Sequence, residues 1–194
     1  MKRIDDRSQF ATDEAFANFR GLIIDNKRSS YLFRSASVHT NRYGRAETVQ
    51  MLMYKHHIDT VIDLSRINHA CRSEEFGFAL SYALSEAIDQ NGPYIIQCDA
   101  GKKRTGFACV LLEALSGTSR ENIISDYLES YINNNGLSPT ESDTIMRLRS
   151  KVTSLIEFIA SYSESPDLVI SASSYLSKHD MTKPEIIKIG RAHV

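Results

Sequence analysis

Apolar positions along this chain follow two periods, one of two residues and one near 3.6, and their order outlines the fold. Tyr31-Leu-Phe-Arg34 and Ile58-Asp-Thr-Val-Ile-Asp-Leu64 are short β-branched or aromatic runs bounded by polar residues, and Tyr94-Ile-Ile-Gln-Cys98 follows the turn residues Asn91-Gly92-Pro93. All three predict strands. Between them Ala46 to His57 predicts a helix, and from Glu74 to Asp89 the residues Phe76, Ala79, Leu80, Ala83, Leu84, Ala87 and Ile88 keep helical spacing. That pattern predicts an amphipathic helix leaning on a sheet. The run Gly106 to Leu115 is apolar almost all round, as expected of a helix buried against a sheet and its neighbours, and Ser116-Gly117 ends it. Ser119 is placed to cap a further helix carrying Ile123, Tyr127 and Tyr131, and Thr140 to begin another with Ile145, Leu148, Val152, Leu155, Ile156 and Ile159 as its stripe. Strands alternate with helices first and helices accumulate later. The predicted class is therefore α/β, with a central, mostly parallel sheet flanked by helices and a helical C-terminal half.

Composition narrows the function. The chain has 194 residues, 42% hydrophobic and 24% charged, with 23 basic against 24 acidic side chains, the profile of one globular domain. A net charge of −1 argues against a nucleic-acid partner, which would need a basic excess. No apolar run approaches the ~18 residues of a membrane helix, and Met1 to Phe10 lacks the apolar stretch of a signal peptide. The expected location is cytoplasmic, with secretion open if a segment precedes Met1. Cys71, Cys98 and Cys109 form no CxxC pair, and adjacent His56 and His57 point in different directions on a helix, so no metal site is predicted. Thr182-x-x-Glu185 is a capping pattern. Residues 1–188 are expected to form a single domain, and Ile189-Gly-Arg-Ala-His-Val194, which reads like a translated sequencing adapter, is set apart as a suspected non-native tail.

The chemistry concentrates in Tyr94-Ile-Ile-Gln-Cys-Asp-Ala-Gly-Lys-Lys-Arg-Thr-Gly106. A strand ends at a cysteine, a short loop follows, and an arginine and a hydroxyl stand at the head of the buried helix. Unpaired N–H groups and the positive end of the helix dipole favour an anion there, and Gly101 lets the backbone curl inward. The loop residues Asp99, Ala100, Gly101, Lys102, Lys103 and Arg104 thus form a candidate phosphate cup. The same field favours the thiolate form of Cys98, a nucleophile that needs no neighbouring base. Arg104 offers a planar fork for two phosphoryl oxygens, which a lysine cannot reproduce. Cys109, inside the apolar helix, is expected to be core.

The spacing Cys-x5-Arg-Thr resembles the signature of the cysteine-dependent protein tyrosine phosphatase superfamily. Phe16 to Gly21, Tyr31 to Ser37, Thr60 to Leu64, the loop, Gly106 to Gly117 and Glu121 to Leu128 follow in the order seen in bacterial tyrosine phosphatases of the atypical, dual- and triple-specificity type. The likeness covers roughly residues 16 to 188. It implies a phosphatase-like fold, a phosphocysteine on Cys98, phosphate held by Arg104 and loop amides, and Thr105 easing the thiolate's departure, with no metal or organic cofactor. It also implies scaffold roles for Asn18, Arg20 and Arg34, and in some relatives a second cysteine, here Cys71, pairs with the nucleophile.

This sequence departs from that pattern in three places. Gln97 stands where the family has histidine, and Lys103 where close relatives carry an aspartate that protonates the leaving oxygen. The segment Arg66 to Glu75, where other branches have a mobile acid loop, holds no aspartate and is short. The remaining acid candidates are Asp63 at a strand's C-terminal end and Asp99 in the loop, followed by His69, Glu74 and Glu75. Repulsion from the thiolate and the phosphate favours a protonated Asp99, which Lys102 or Lys103 would oppose. The leading expectation is a phosphomonoesterase acting on phosphotyrosine proteins. A phosphoinositide or inositol-phosphate phosphatase, suggested by Lys102-Lys103, and a catalytically weak pseudophosphatase are the alternatives.

Overall fold

Four strands, β1 (Arg20–Ile24), β2 (Lys27–Ser35), β3 (Thr60–Asp63) and β4 (Tyr94–Gln97), form one sheet in the order β1-β2-β4-β3. The structure is a computed structural model and describes residues 3–90, 92–138 and 142–191. Strands β2 and β3 run parallel to β4 on either side of it, and β1 pairs antiparallel with β2 at the edge. The sheet is therefore mostly parallel, as expected. β1 is the strand that the apolar pattern alone left out. Its signal was the pair Asp25-Asn26, both at positive φ (46° and 62°), which closes a tight hairpin between Leu22-Ile-Ile24 and β2.

Alternation along the strands divides the core in two. Leu32, Ile62, Tyr94 and Ile96 face the larger cluster, whereas Phe33, Ile95 and the partly buried Val61 face the smaller. The smaller face is covered by α1 (Asp13–Ala17) and α2 (Ala46–Lys55), through Ala17, Val49 and Leu52. On the larger face lie α3 (Glu74–Ile88), α4 (Lys103–Leu115), α5 (Arg120–Asn135), α6 (Ser142–Ala160), α7 (Leu168–Lys178) and α8 (Lys183–Arg191). Central β4 is buried at every position, and α4 is buried from Thr105 to Leu115, so the segment from 94 to 115 is the axis of the molecule. Cys109 is core, and burial pushes its thiol up to about 12.

The caps behave as their residue types dictate. Ser119 accepts from Asn122 N at the start of α5, Gly117 turns at φ 77° after α4, and Glu185 accepts from Thr182 N (2.7 Å) before α8. Thr140 lies outside the described residues, and α6 is described from Ser142. In α8, Ile186 and Ile189 both enter the core, while residues 192–194 lie outside the described ones. Among the described residues no helix is long and apolar enough to cross a membrane.

Candidate active site

The site is built where β4 ends and α4 begins. Gln97, fully buried, directs Oε1 to the backbone N–H of Val38 (2.9 Å), which joins the strand end to the segment after β2. In place of the imidazole that the resemblance implied, this chain thus has a buried amide bonded to the backbone. Cys98 follows at 3% exposure, and its carbonyl accepts from Gly101 N (3.0 Å), closing a tight turn. Gly101 sits at φ 61°, and a Cβ there would collide with the carbonyl of Ser35. Only glycine meets both demands.

Carbonyl oxygens of the loop are tied to the scaffold behind it. That of Asp99 accepts from Ser37 N (3.4 Å), and that of Gly101 from Asn18 Nδ2 (2.8 Å) and Arg34 Nη2 (3.0 Å). In a trans peptide the N–H points opposite to the C=O, so these bonds turn the N–H groups of Ala100 and Lys102 away from the scaffold. Helix α4 starts at Lys103 with no side-chain cap, which leaves its first amides without an intrahelical or capping partner. Thr105 is buried, and its hydroxyl has no hydrogen-bond partner among the described residues.

Behind Asn18 and Arg34 lies a buried charge network. Asp126 Oδ2 accepts from Arg34 Nη1 (2.5 Å), and its Oδ1 from Arg20 Nε (2.8 Å) and Arg28 Nη1 (2.5 Å). Arg20 Nη1 in turn donates to Asn18 Oδ1 (2.7 Å), which orients that amide toward the loop. Burial alone would raise the Asp126 carboxyl, but the charges of Arg20 and Arg34 hold it below the usual carboxylate range. The expected scaffold residues Asn18, Arg20 and Arg34 are thus joined through an acid, Asp126, that sequence reading missed. On α5 it reads as one more polar position in a helix.

Cys98, Asp99, Ala100, Lys102, Lys103 and Arg104 line one cavity of about 310 Å3, together with Arg3 and Tyr43. Neither of the last two was anticipated; Arg3 stacks on the Tyr43 ring, 3.1 Å from its centroid, from a segment without sequence motif. The Arg104 guanidinium donates to Asp99 Oδ2 (2.7 Å) and to the carbonyls of Ser65 and Ile67. Asp63 is placed next to the site, paired in register with Gln97, but its two carboxylate oxygens accept from Ser65 N and Ser65 Oγ (both 2.9 Å). Asp63 therefore shapes the turn whose carbonyl holds Arg104. Asp63, His69, Glu74 and Glu75 are not among the residues lining the cavity, and Glu74 pairs instead with Lys178 (3.4 Å). Cys71 is half-buried, and burial and then the charge of Cys98 push its thiol up. Tyr127 and Tyr131 pack on each other with ring centroids 5.6 Å apart.

A cysteine at a parallel strand's end, a loop whose amides are turned outward, and an arginine at the head of a buried helix make an arrangement that can receive an anion such as phosphate. Comparison with known proteins agrees. The model of the tyrosine phosphatase family matches residues 71–186, more than half of the chain, and the chain belongs to that family. Over 81 residues it is 36% identical to a Cupriavidus necator protein inferred to be a tyrosine-protein phosphatase, covering 40% of this chain and 30% of that one. Over 85 residues it is 29% identical to the triple specificity protein phosphatase PtpB of Mycobacterium tuberculosis, covering 44% of this chain and 27% of the relative. The matched stretches thus span less than a third of those relatives.

Proposed function

We propose that this chain is a phosphomonoesterase that hydrolyses aryl phosphates, phosphotyrosine in proteins first among them, through a phosphocysteine on Cys98. The observation that carries the reading is the convergence of Cys98, Asp99, Lys102, Lys103 and Arg104 on one cavity at the head of α4. The phosphate dianion takes the place of Asp99 as partner of Arg104, receiving the guanidinium fork and the loop amides. Cys98 Sγ then attacks phosphorus, the ester P–O bond breaks, and Asp99 gives its proton to the departing oxygen. A water next attacks the phosphocysteine and yields a proton to Asp99, while the S–P bond breaks and Thr105 Oγ supports the returning thiolate. Asp99 is assigned the acid role because it is the one carboxylate that lines the cavity among the described residues. A single acid already engaged by arginine suits aryl leaving groups, whose pKa near ~10 demands less protonation than an alkyl oxygen.

Burst kinetics with an aryl phosphate test the reading. Native protein is expected to show a burst and a trapped phosphoenzyme. Cys98→Ser should lose turnover while keeping phosphate affinity, and Arg104→Ala should lose both, with kcat/KM down by about 100- to 1,000-fold. Residual turnover in Cys98→Ser would sink the covalent route. Phosphate binding without any burst would make the chain a pseudophosphatase. A tenfold preference for soluble phosphoinositides over a phosphotyrosyl peptide would replace the protein substrate with a lipid one.

A further inference from the structure

A second cavity, of about 360 Å3, opens beside the catalytic one between the head of α4 and the helices α5 and α6. Lys102 and Lys103 line both cavities, and Arg147 and Lys151, one turn apart on α6, complete a ring of four cations around the second. Among the described residues no carboxylate lines it. Among the described residues none of the four forms a salt bridge, although Arg149 on the same helix pairs with Glu121 (2.7 Å). Among the described residues the cations that face the cleft thus have no ion-pair partner, with Lys102 Nζ donating only to the neutral Asn135 Oδ1 (2.9 Å), while their neighbour Arg149 is paired. Lys102 Nζ lies 4.7 Å from the Tyr131 ring centroid, and Lys151 Nζ donates to the Tyr131 hydroxyl (3.3 Å). Burial and then the charges of Arg3, Lys103, Lys151 and Arg45 lower Lys102 to about 8, a cost that a bound anion would relieve.

We propose that this cleft is a specificity subsite for a second phosphoryl group carried by the same phosphotyrosyl peptide, an inference that rests on the phosphatase reading above. The guanidinium of Arg147 is held on its own helix by weak bonds from Nε to the Asp143 carbonyl (3.3 Å) and from Nη2 to Thr144 Oγ1 (3.4 Å) and offers its remaining N–H groups to phosphate oxygens, and Lys151 and Lys102 supply point charges on either side. Peptide is favoured over a polyol headgroup because the ring is not wholly polar. Tyr131 and Leu148 line it as well, and both are largely buried, giving an apolar floor for the stem of a side chain. Because Lys102 and Lys103 belong to both cavities, the two phosphates sit close in sequence.

Affinity is measured by fluorescence anisotropy on the full-length Cys98→Ser chain, with a phosphotyrosyl peptide and with the same peptide carrying a second phosphate two residues away. The doubly phosphorylated peptide is expected to bind about tenfold tighter. Arg147→Ala/Lys151→Ala should reduce that ratio to about one and leave the singly phosphorylated peptide unchanged, and Arg147→Glu/Lys151→Glu should invert it. Equal affinities in the starting chain, or a preference that survives in the alanine pair, would overturn the subsite. Tighter cleft-dependent binding of a soluble inositol bisphosphate than of the doubly phosphorylated peptide would overturn the peptide as occupant. Turnover by the native chain is followed in parallel: if the binding preference is found and neither peptide is hydrolysed, the subsite stands and the catalytic reading falls.

Discussion

Behind the loop, Asp126 is about 1% exposed and accepts hydrogen bonds from Arg20, Arg28 and Arg34; in front of it, Asp99 is 28% exposed and accepts from Arg104 alone among the arginines. Both are aspartate–arginine contacts, and both brace the segment from 98 to 104. Their surroundings make them unlike. Of the charges behind the loop Arg28 reaches solvent, but Arg20, Arg34 and Asp126 are buried with no water to fall back on, so each of these depends on its partner. Water reaches the front pair, so separating Arg104 from its carboxylate costs little. A rigid rear and an exchangeable front are what a preorganised anion cup requires, since the loop amides must be set before the ligand arrives.

Substituting Asp126 breaks this contrast most directly. Asp126→Asn takes from buried Arg34 its ion-pair partner and leaves Arg20 only the half-exposed Glu129 (3.5 Å), and the expected loss is about 3–5 kcal/mol in urea unfolding, accompanied by loss of aryl phosphate turnover. A change under about 1 kcal/mol would mean that the rear is no more rigid than the front.

Glu113 sharpens the comparison through pH. It is buried beside the network, one oxygen accepting from Ile23 N (3.1 Å) and the other without a partner among the described residues. Burial first, and the charge of Asp126 next, raise its carboxyl well above the ordinary value. An acid raised on folding stabilises the fold below its unfolded value of ~4.3, and that contribution is lost as pH climbs toward the folded one. Asp126 has the opposite sign, because its carboxyl is held low: its contribution is present above ~3.9 and is lost as pH falls. Glu113→Gln should therefore match the native chain near pH 4 and be the more stable of the two at pH 7. A stability difference that is flat with pH would show that Glu113 is ionised in the folded chain.

The smallest effect on stability belongs to the front. Arg104→Ala, despite its expected catalytic loss, should shift the unfolding free energy by less than about 1 kcal/mol, because its carboxylate partner is solvated. A loss comparable to that of Asp126→Asn would show that Arg104 is a structural residue first.

Much of the fold was legible because periodicity reports burial directly. Tyr94-Ile-Ile-Gln97 and the apolar run to Leu115 predicted the axial strand and helix, and Ser119, Gly117 and Thr182-x-x-Glu185 announced their caps. The site was legible to the extent that it is local, since the spacing from Cys98 to Thr105 places a thiol, a loop and an arginine within one turn of chain.

What lay beyond the chain's own order was every partnership across it. That Asp126 joins Arg20, Arg28 and Arg34, that Asp63 is spent on Ser65 while Asp99 lines the cavity, and that Arg147 and Lys151 meet Lys102 depends on packing between segments as many as 106 residues apart, as for Arg20 and Asp126. Local sequence determines which groups a segment can present and with what period; only the folded arrangement decides which opposite charges share a buried space and which are left facing water, because electrostatic partnership depends on distance and solvation rather than on order along the chain.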